Sequence, residues 1–271
     1  ESAQIMVLFD DELALELGAP TLAAIPDVFV SADGPKKSIS GPGIGNYVTF
    51  AKSAVLLKNL LGDRRFGSGG VVQAHGTSTP QNRVTESQIM SQVAVAMGVQ
   101  KWRVGAIKSF IGHSLGAAAG DQLSAMLGVW ETGLMPGITT LDGIASDVAT
   151  DRLEFALRTE ATEAPDYALI NSKGFGGNNA TAAVLGPNVT QDLLKKQYGE
   201  RKLSDWQTAH ESVQIRRASM ESARLEGSWA PRYHFNEGVL DPEAVEVDAA
   251  QIRLGDRTVD LSTTFPDSWR L

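Results

Sequence analysis

The chain has 271 residues, of which 42% are hydrophobic and 21% charged, enough for one large domain or two small ones with a buried core. Its formal net charge of -8 argues against nucleic acid as the main partner, because phosphate binding usually needs a basic patch. The lack of cysteine excludes disulfides, thiolate metal sites and a cysteine nucleophile within this chain, and no apolar run approaches the roughly 18 residues of a membrane span.

Apolar runs and helical periodicity predict alternating strands and helices, which indicate an α/β layered fold. Because the chain enters a strand pattern without an initiator Met or a signal peptide, we expect it to be a piece of a longer protein. The predicted elements are, in chain order, a strand at 4–9, a short helix or turn at 10–18, a strand at 25–30, a helix at 47–61, a strand at 71–74, a helix at 85–97, a strand at 102–107, a buried helix at 115–130, and strands at 167–171 and 180–185.

The composition changes near residue 187, where glycine becomes sparse and the density of charge rises. We therefore predict two parts, a first domain over 1–187 and a tail over 188–271. The tail reads as one or two polar helices at 191–225, broken near Gly199, followed by a hairpin around 254–256. His210 and His234 have no metal-ligand spacing, so we predict no metal site.

Three polar clusters each follow a predicted strand: residues 75–80 (HGTSTP), 108–113 (KSFIGH) and 171–179 (NSKGFGGNN). In open α/β folds ligands bind beyond the carboxyl ends of strands, so these clusters are expected to converge on one site. The glycine loop at 41–45 lacks the third glycine of a dinucleotide fingerprint, and we interpret it as a turn before a helix.

Taken together, the three clusters resemble motifs of the β-ketoacyl-acyl carrier protein synthases, and the resemblance covers residues 1 to about 187. It implies a thiolase-like layered fold, of which this chain is the carboxyl-terminal half of the αβαβα sandwich, followed by an appended α+β tail. In this family the nucleophilic cysteine lies in the amino-terminal half, so the resemblance also implies that this half is missing from the chain.

The resemblance assigns catalytic roles to four residues. His75 and His113 match two histidines that donate N–H groups to the thioester oxygen, and both are expected to be neutral at pH 7. Lys108 matches the lysine that supports the site, and Glu86 matches its carboxylate partner. The alternative is that Lys108 and Glu86 form an ion pair that only orients the loops.

Five further residues match positions that handle substrate. Thr77 and Thr79 correspond to residues that bind the pantetheine arm of the carrier, and Phe175 corresponds to a mobile gate between Gly174 and Gly176. The second histidine disfavours the initiating branch with a Cys-His-Asn set, and the lack of cysteine disfavours a true thiolase.

The sequence departs from the family at two positions. Arg83 stands where the family usually has an acidic residue, which reverses a charge near Lys108. Lys173 stands where phenylalanine is common, and a cation there is expected to alter primer preference or contact a carrier phosphate.

The resemblance thus implies a 3-oxoacyl-acyl carrier protein synthase, which condenses a malonyl thioester with an acyl thioester primer in fatty acid or related polyketide synthesis. The implied partner is acyl carrier protein, with no cofactor beyond its phosphopantetheine arm, in a cytoplasmic homodimer completed by the missing half. This chain alone is expected to be inactive. The alternatives are a non-catalytic subunit of the chain-length-factor type and a scaffold.

Overall fold

A computed structural model of the protein describes residues 2–36, 43–230, 235–239 and 241–262. Residues Glu1–Arg216 form one compact unit and Arg217–Leu271 a second. The helices are α1 (Asp11–Glu16), α2 (Ile44–Gly67), α3 (Pro80–Met97), α4 (Lys108–Ile111), α5 (Ala118–Thr132) and α6 (Pro187–Leu225). The strands are β1 (Ala24–Ala32), β2 (Val71–Gln73), β3 (Trp102–Gly105), β4 (Leu134–Met135), β5 (Leu153–Phe155), β6 (Glu160–Ala161), β7 (Tyr167–Gly174), β8 (Asn178–Leu185), β9 (Val245–Val247), β10 (Gln251–Leu254) and β11 (Arg257–Asp260).

The first unit is built on a six-stranded sheet in the order β1-β8-β7-β2-β3-β5. Strands β7, β2, β3 and β5 run parallel to one another, whereas β8 and then β1 pair antiparallel at one side. Parallel strands carry their carboxyl ends to the same edge, so the loops that follow β2, β3 and β7 are neighbours. This edge places the three polar clusters together.

Both faces of the central strands of the sheet are buried, which explains their unbroken apolar runs. Val72 and Leu169 face a core with α2 and α3, whereas Val71 and Ile170, one residue away along each strand, face a second core with Met126 of α5 and its neighbours. Successive side chains of a strand point to opposite faces, so each apolar residue of the run has a core to enter.

The predicted strand at 4–9 is wrong. Residues 2–10 form no helix or strand, and Ile5 is 90% exposed. Gln4 instead bonds the start of α5, where its Nε2 donates to Asp121 Oδ1 at 2.8 Å and its Oε1 accepts from Ser124 at 3.0 Å. A strand needs a neighbour for its backbone N–H and C=O groups, and no strand among the described residues pairs with this segment.

The other predicted elements of the first unit are present, with longer helices at 44–67 and 80–97. Helix α2 begins at Ile44, directly after Gly43, and is kinked at Gly62; residues 41 and 42 of the predicted turn lie outside the described residues. Helix α5 is buried along one face, as predicted, and most of its remaining residues are partly buried. The short strands β4, β5 and β6 carry too few residues for a periodicity to predict them.

Helix α6 changes direction at Gly199, as predicted, because this residue has a φ of 80°. Leu194, before the kink, and Trp206, after it, share a small core with Leu15 of α1, and Trp206 Nε1 donates to Ala19 O at 3.0 Å. The second unit holds an antiparallel sheet in the order β11-β10-β9, which includes the predicted hairpin. The domain boundary at 187 stays a prediction.

Within the described part of the chain, no helix combines the length and apolar character of a membrane span. No group of three His, Cys, Asp or Glu side chains within the same ranges is arranged to hold a metal ion, and His234 lies outside them.

Candidate active site

The loops after β2, β3 and β7 meet around two imidazoles. The rings of His75 and His113 are 5.3 Å apart between centroids, at an angle of 80°. The backbone N–H of Lys173, from the end of β7, donates to His75 Nδ1 at 3.2 Å. All three polar clusters therefore contribute to one site at the carboxyl edge of the sheet.

The backbone determines which ring nitrogen of each histidine carries a proton. His113 Nδ1 accepts the N–H of Leu115 at 3.1 Å, just as His75 Nδ1 accepts the N–H of Lys173. A nitrogen that accepts a hydrogen bond has no proton, and a neutral imidazole carries one proton. Both neutral rings therefore bear it on Nε2, and each presents an Nε2–H donor.

Burial and nearby cations keep both imidazoles neutral. Burial is the main cause that lowers the pKa of His75 to about 4, against the opposing charge of Glu86, and Lys108, His113 and Lys173 lower it further. The pKa of His113, whose side chain is more exposed, is also lowered, first by partial desolvation and then by the charge of Lys108. Both rings are uncharged at pH 7, so each has one N–H to offer.

Glu86 is a buried carboxylate that organises the loop carrying His75. It is 3% exposed. Its oxygens accept the backbone N–H groups of His75 and Gly76 at 2.7 and 3.0 Å, and the side-chain amides of Asn82 and Asn171 at 2.9 and 2.8 Å. Four hydrogen bonds satisfy the two oxygens, which makes Glu86 a structural centre of the site.

Lys108 does not form the expected ion pair with Glu86. Its Nζ is buried and has no hydrogen-bond partner among the described residues. The four donors to Glu86 leave no oxygen free for it. Burial lowers the pKa of Lys108, while the negative charges of Glu86 and Asp121 partly offset this effect. Lys108 thus acts on the site through its charge rather than through a contact, and its catalytic role stays a prediction.

The two residues that depart from the family pattern, Arg83 and Lys173, direct their side chains to different places. Arg83 turns away from Lys108 and forms a two-pronged bond with Asp147, at 3.0 and 2.8 Å. Lys173 turns inward, where its Nζ donates to Asn82 Oδ1 at 3.0 Å. Asn82 in turn bonds Glu86, so Lys173 supplies a cation close to the buried carboxylate.

The residues predicted to handle substrate lie at the rim of the site. Thr77 is half-buried in the loop after β2, and Thr79 is exposed at the start of α3. Phe175 is 90% exposed at the turn between β7 and β8, with exposed glycines on both sides. Their contacts with a substrate stay predictions.

Two buried amides are parts of the site that the sequence reasoning missed. Gln122 Nε2 donates to the carbonyl oxygens of Gln73, Ala74 and Asn171, at 3.0, 2.6 and 3.1 Å. Asn171, the first residue of the third polar cluster, donates its side-chain amide to Glu86. The available signal was a polar residue at an apolar position, as with Gln122 in the predicted buried helix.

Comparisons with known proteins agree on one family. A family model described as "Beta-ketoacyl synthase, C-terminal domain" matches residues 53–142. The chain is 43% identical over 253 residues to the β-ketoacyl-[acyl-carrier-protein] synthase FabY of Pseudomonas aeruginosa, an alignment that covers 93% of this chain and 40% of that protein. It is 28% identical over 186 residues to the 3-oxoacyl-[acyl-carrier-protein] synthase 2 of Vibrio cholerae, covering 67% of this chain and 42% of that protein.

Solved structures give the same result. The crystal structure of the noncanonical ketosynthase FabY from P. aeruginosa superposes with a TM-score of 0.81 at 39% identity, covering 95% of this chain and 41% of that one. A β-ketoacyl synthase from Burkholderia phymatum gives a TM-score of 0.51 at 24% identity over 65% of this chain and 40% of that one, a likeness of fold alone. The chain thus spans about two fifths of the length of these relatives.

Proposed function

Since the chain belongs to the β-ketoacyl-acyl carrier protein synthase family and carries its carboxyl-terminal domain, we propose that it provides the malonyl-decarboxylating side of the active site of a 3-oxoacyl-acyl carrier protein synthase. The observation that carries the proposal is the pair of neutral imidazoles. Both present an Nε2–H at the edge where parallel strands end. Two such donors suit one substrate oxygen that gains negative charge.

The proposed reaction begins when the bond between the malonyl α-carbon and its carboxylate breaks and CO₂ leaves. The electron pair passes to the thioester as an enolate, whose oxygen accepts hydrogen bonds from His75 and His113. The α-carbon then attacks the carbonyl carbon of the primer thioester. A carbon–carbon bond forms, and the thiolate of the nucleophilic cysteine, expected in a part of the enzyme outside this chain, leaves with the electron pair.

The neutrality of both imidazoles suits this reaction. The oxyanion needs fixed donors that require no reorganisation as the charge develops. The backbone N–H of Lys173 and that of Leu115 hold the two rings in the tautomer that donates through Nε2. Glu86 fixes the His75 backbone, and the buried charge of Lys108 favours a negative charge nearby.

We further propose that Thr77 and Thr79 bind the pantetheine arm of acyl carrier protein and that Phe175, flanked by Gly174 and Gly176, gates access to the cysteine. The arm belongs to the substrate, so the proposed reaction needs no other cofactor. The exposed pair Arg216 and Arg217 offers positive charge to an acidic carrier. A cytoplasmic homodimer that includes the missing half completes the proposal.

The test measures the two half-reactions of the complete enzyme separately. His113→Ala is expected to lower the decarboxylation of malonyl thioester roughly 100-fold or more, because one oxyanion donor is lost. Transfer of the primer acyl group to the cysteine is expected to fall less, because that step precedes malonyl entry. His210→Ala is the matched control, since its imidazole bonds Gly18 O and Gln214 instead. An equal loss in both half-reactions, with the fold intact, would contradict the role of His113.

A non-catalytic subunit is the second candidate, favoured by the lack of cysteine in the chain. The same assay separates the two. If the complete enzyme forms acyl-enzyme but never releases CO₂ from malonyl thioester, the site serves binding rather than condensation.

A further inference from the structure

A cavity of about 280 Å³ lies beside the histidine site, between α3, the ends of β2, β3 and β5, and the loop over 136–151. Ala74 and Gly76, on either side of His75, form part of its wall, but neither imidazole does. Most of the lining is aliphatic or aromatic, and it includes Met90, Val104, Ile138, Ile144, Val148 and Phe155.

The charged and amide side chains in this wall are already paired. Glu86 has four hydrogen bonds, and the amide of Asn82 donates to Glu86 while accepting from Lys173. The charge of Arg83 is matched by Asp147. A polar occupant would have to compete with these contacts, whereas an apolar one would leave them intact. The chemistry of the wall therefore selects an uncharged, apolar group.

The outer wall is a loop held to α3 by two contacts. Arg83 clasps the Asp147 carboxylate through Nε and Nη2, and Ser87 Oγ accepts the N–H of Ala149 at 3.1 Å. Between β4 and β5 the loop has no strand or helix of its own. Arg83, one of the two departures from the family pattern, thus builds the wall of this cavity.

We infer that this cavity binds an unbranched alkyl chain of medium length, as carried by a fatty acid or an acyl thioester, at a site separate from the reacting thioester. Its volume holds roughly nine groups of the size of a water molecule or a methylene, which corresponds to about eight to ten carbons. Each buried methylene is expected to raise the affinity about fourfold until the cavity is full. The inference does not depend on the proposed condensation.

The test is calorimetric titration of the chain with alkanoates of six, eight, ten and sixteen carbons. Decanoyl-N-acetylcysteamine forms a second arm, which distinguishes a thioester ligand from a free acid. Binding is expected to strengthen up to eight to ten carbons and then weaken. An affinity that rises steadily through sixteen carbons would show adsorption on exposed apolar surface and would overturn the inference, as would no binding in either arm.

Two neighbouring residues of the loop supply matched variants. Ala145 lines the cavity, so Ala145→Phe fills it and is expected to weaken decanoate binding at least tenfold. Ser146 is exposed and is not part of the lining, so Ser146→Phe is expected to change the affinity less than twofold. Equal effects of the two variants would overturn the inference. If Ala145→Phe does not fold, Met90→Ala enlarges the cavity and is expected to move the preferred length up by about two carbons; an unmoved optimum would overturn it.

Discussion

The ends of β2 and β3 each present an imidazole of the same tautomer, but the two regions hold it differently. His75 is 7% exposed, and its backbone N–H and its ring are bonded by Glu86 and by the end of β7. His113 is exposed, and the group that orients it, Leu115, lies two residues along the same loop. One imidazole is held by long-range contacts of the core, the other by local backbone geometry.

The difference shows two ways to fix a hydrogen-bond donor. The β2 region uses a buried carboxylate, which is costly to bury and depends on every donor around it. The β3 region uses a backbone turn in which Leu115 has a φ of 59°, a conformation that residues other than glycine rarely adopt. Substitutions in the β2 region are therefore expected to destabilise the fold, whereas substitutions in the β3 region are expected to misorient the imidazole of His113.

The largest expected effect comes from removing the centre of the β2 region. Glu86→Ala leaves the N–H groups of His75 and Gly76 and two side-chain amides without an acceptor, and is expected to cost about 4 kcal/mol in the free energy of unfolding. Urea denaturation measures it. Glu131→Ala, at an exposed position of α5, is expected to change stability by less than about 0.5 kcal/mol. Similar values for both variants would contradict the importance of Glu86.

The second prediction compares the two imidazoles by their response to acid. The pKa of His75 is lowered to about 4 in the folded chain, mainly by burial, whereas the unfolded value is about 6.5. Between these values the unfolded chain binds a proton that the folded chain does not, so this contribution is complete above pH 6.5 and is lost as the pH falls towards 4. The loss attributable to His75 is expected to reach at most about 3 kcal/mol.

Other groups also respond to acid, so the comparison is made between variants. His75→Asn keeps an oxygen that accepts the Lys173 N–H but does not titrate in this range, and its stability is expected to fall less between pH 6.5 and 4 than that of the parent. His113→Asn is expected to fall nearly as much as the parent. Parallel curves for the parent chain and His75→Asn, measured by urea denaturation across this range, would contradict the assignment.

The smallest expected effect lies in the β3 region. Leu115→Gly relieves the positive φ, and because the leucine side chain is 74% exposed little burial is lost. Glycine also has greater conformational freedom in the unfolded chain, which offsets part of this relief. The net gain in the free energy of unfolding is expected to be about 0.5–1 kcal/mol. Leu115→Ala removes the same side chain without relieving the φ and is expected to show no gain. Thermal unfolding compares the two, and equal melting temperatures would mean that the turn is not strained.

Much of the architecture could be predicted from the residue pattern. The thiolase-like layered α/β fold and the family are confirmed, because three ordered motifs and the apolar runs between them are local features of the chain. The kink at Gly199 and the hairpin around 254–256 are confirmed for the same reason. The strand at 4–9 failed because apolar character alone does not provide a pairing partner.

The candidate site shows the same division. The types of its residues and their positions after strands could be predicted from the sequence, because each motif consists of residues that are close together along the chain. Most partners of Glu86 and the Arg83–Asp147 contact could not be predicted, since they join residues that are 10 to 85 positions apart. The lack of a partner for Lys108 Nζ could not be predicted either, since no local pattern reports it.

The sequence by itself determined the family, the alternation of strands and helices, and the three clusters at strand ends, because periodicity and motifs depend only on residues that are close together along the chain. Only the tertiary structure decided which nitrogen of each histidine carries the proton, that Glu86 binds backbone and amide N–H groups rather than Lys108, and that Arg83 and Asp147 close an apolar cavity. The His75 and Glu86 contacts depend on the packing of β2 beside β7, which brings together groups that are far apart along the chain. The His113 contact depends on the local turn at Leu115, whose backbone conformation no residue pattern predicted.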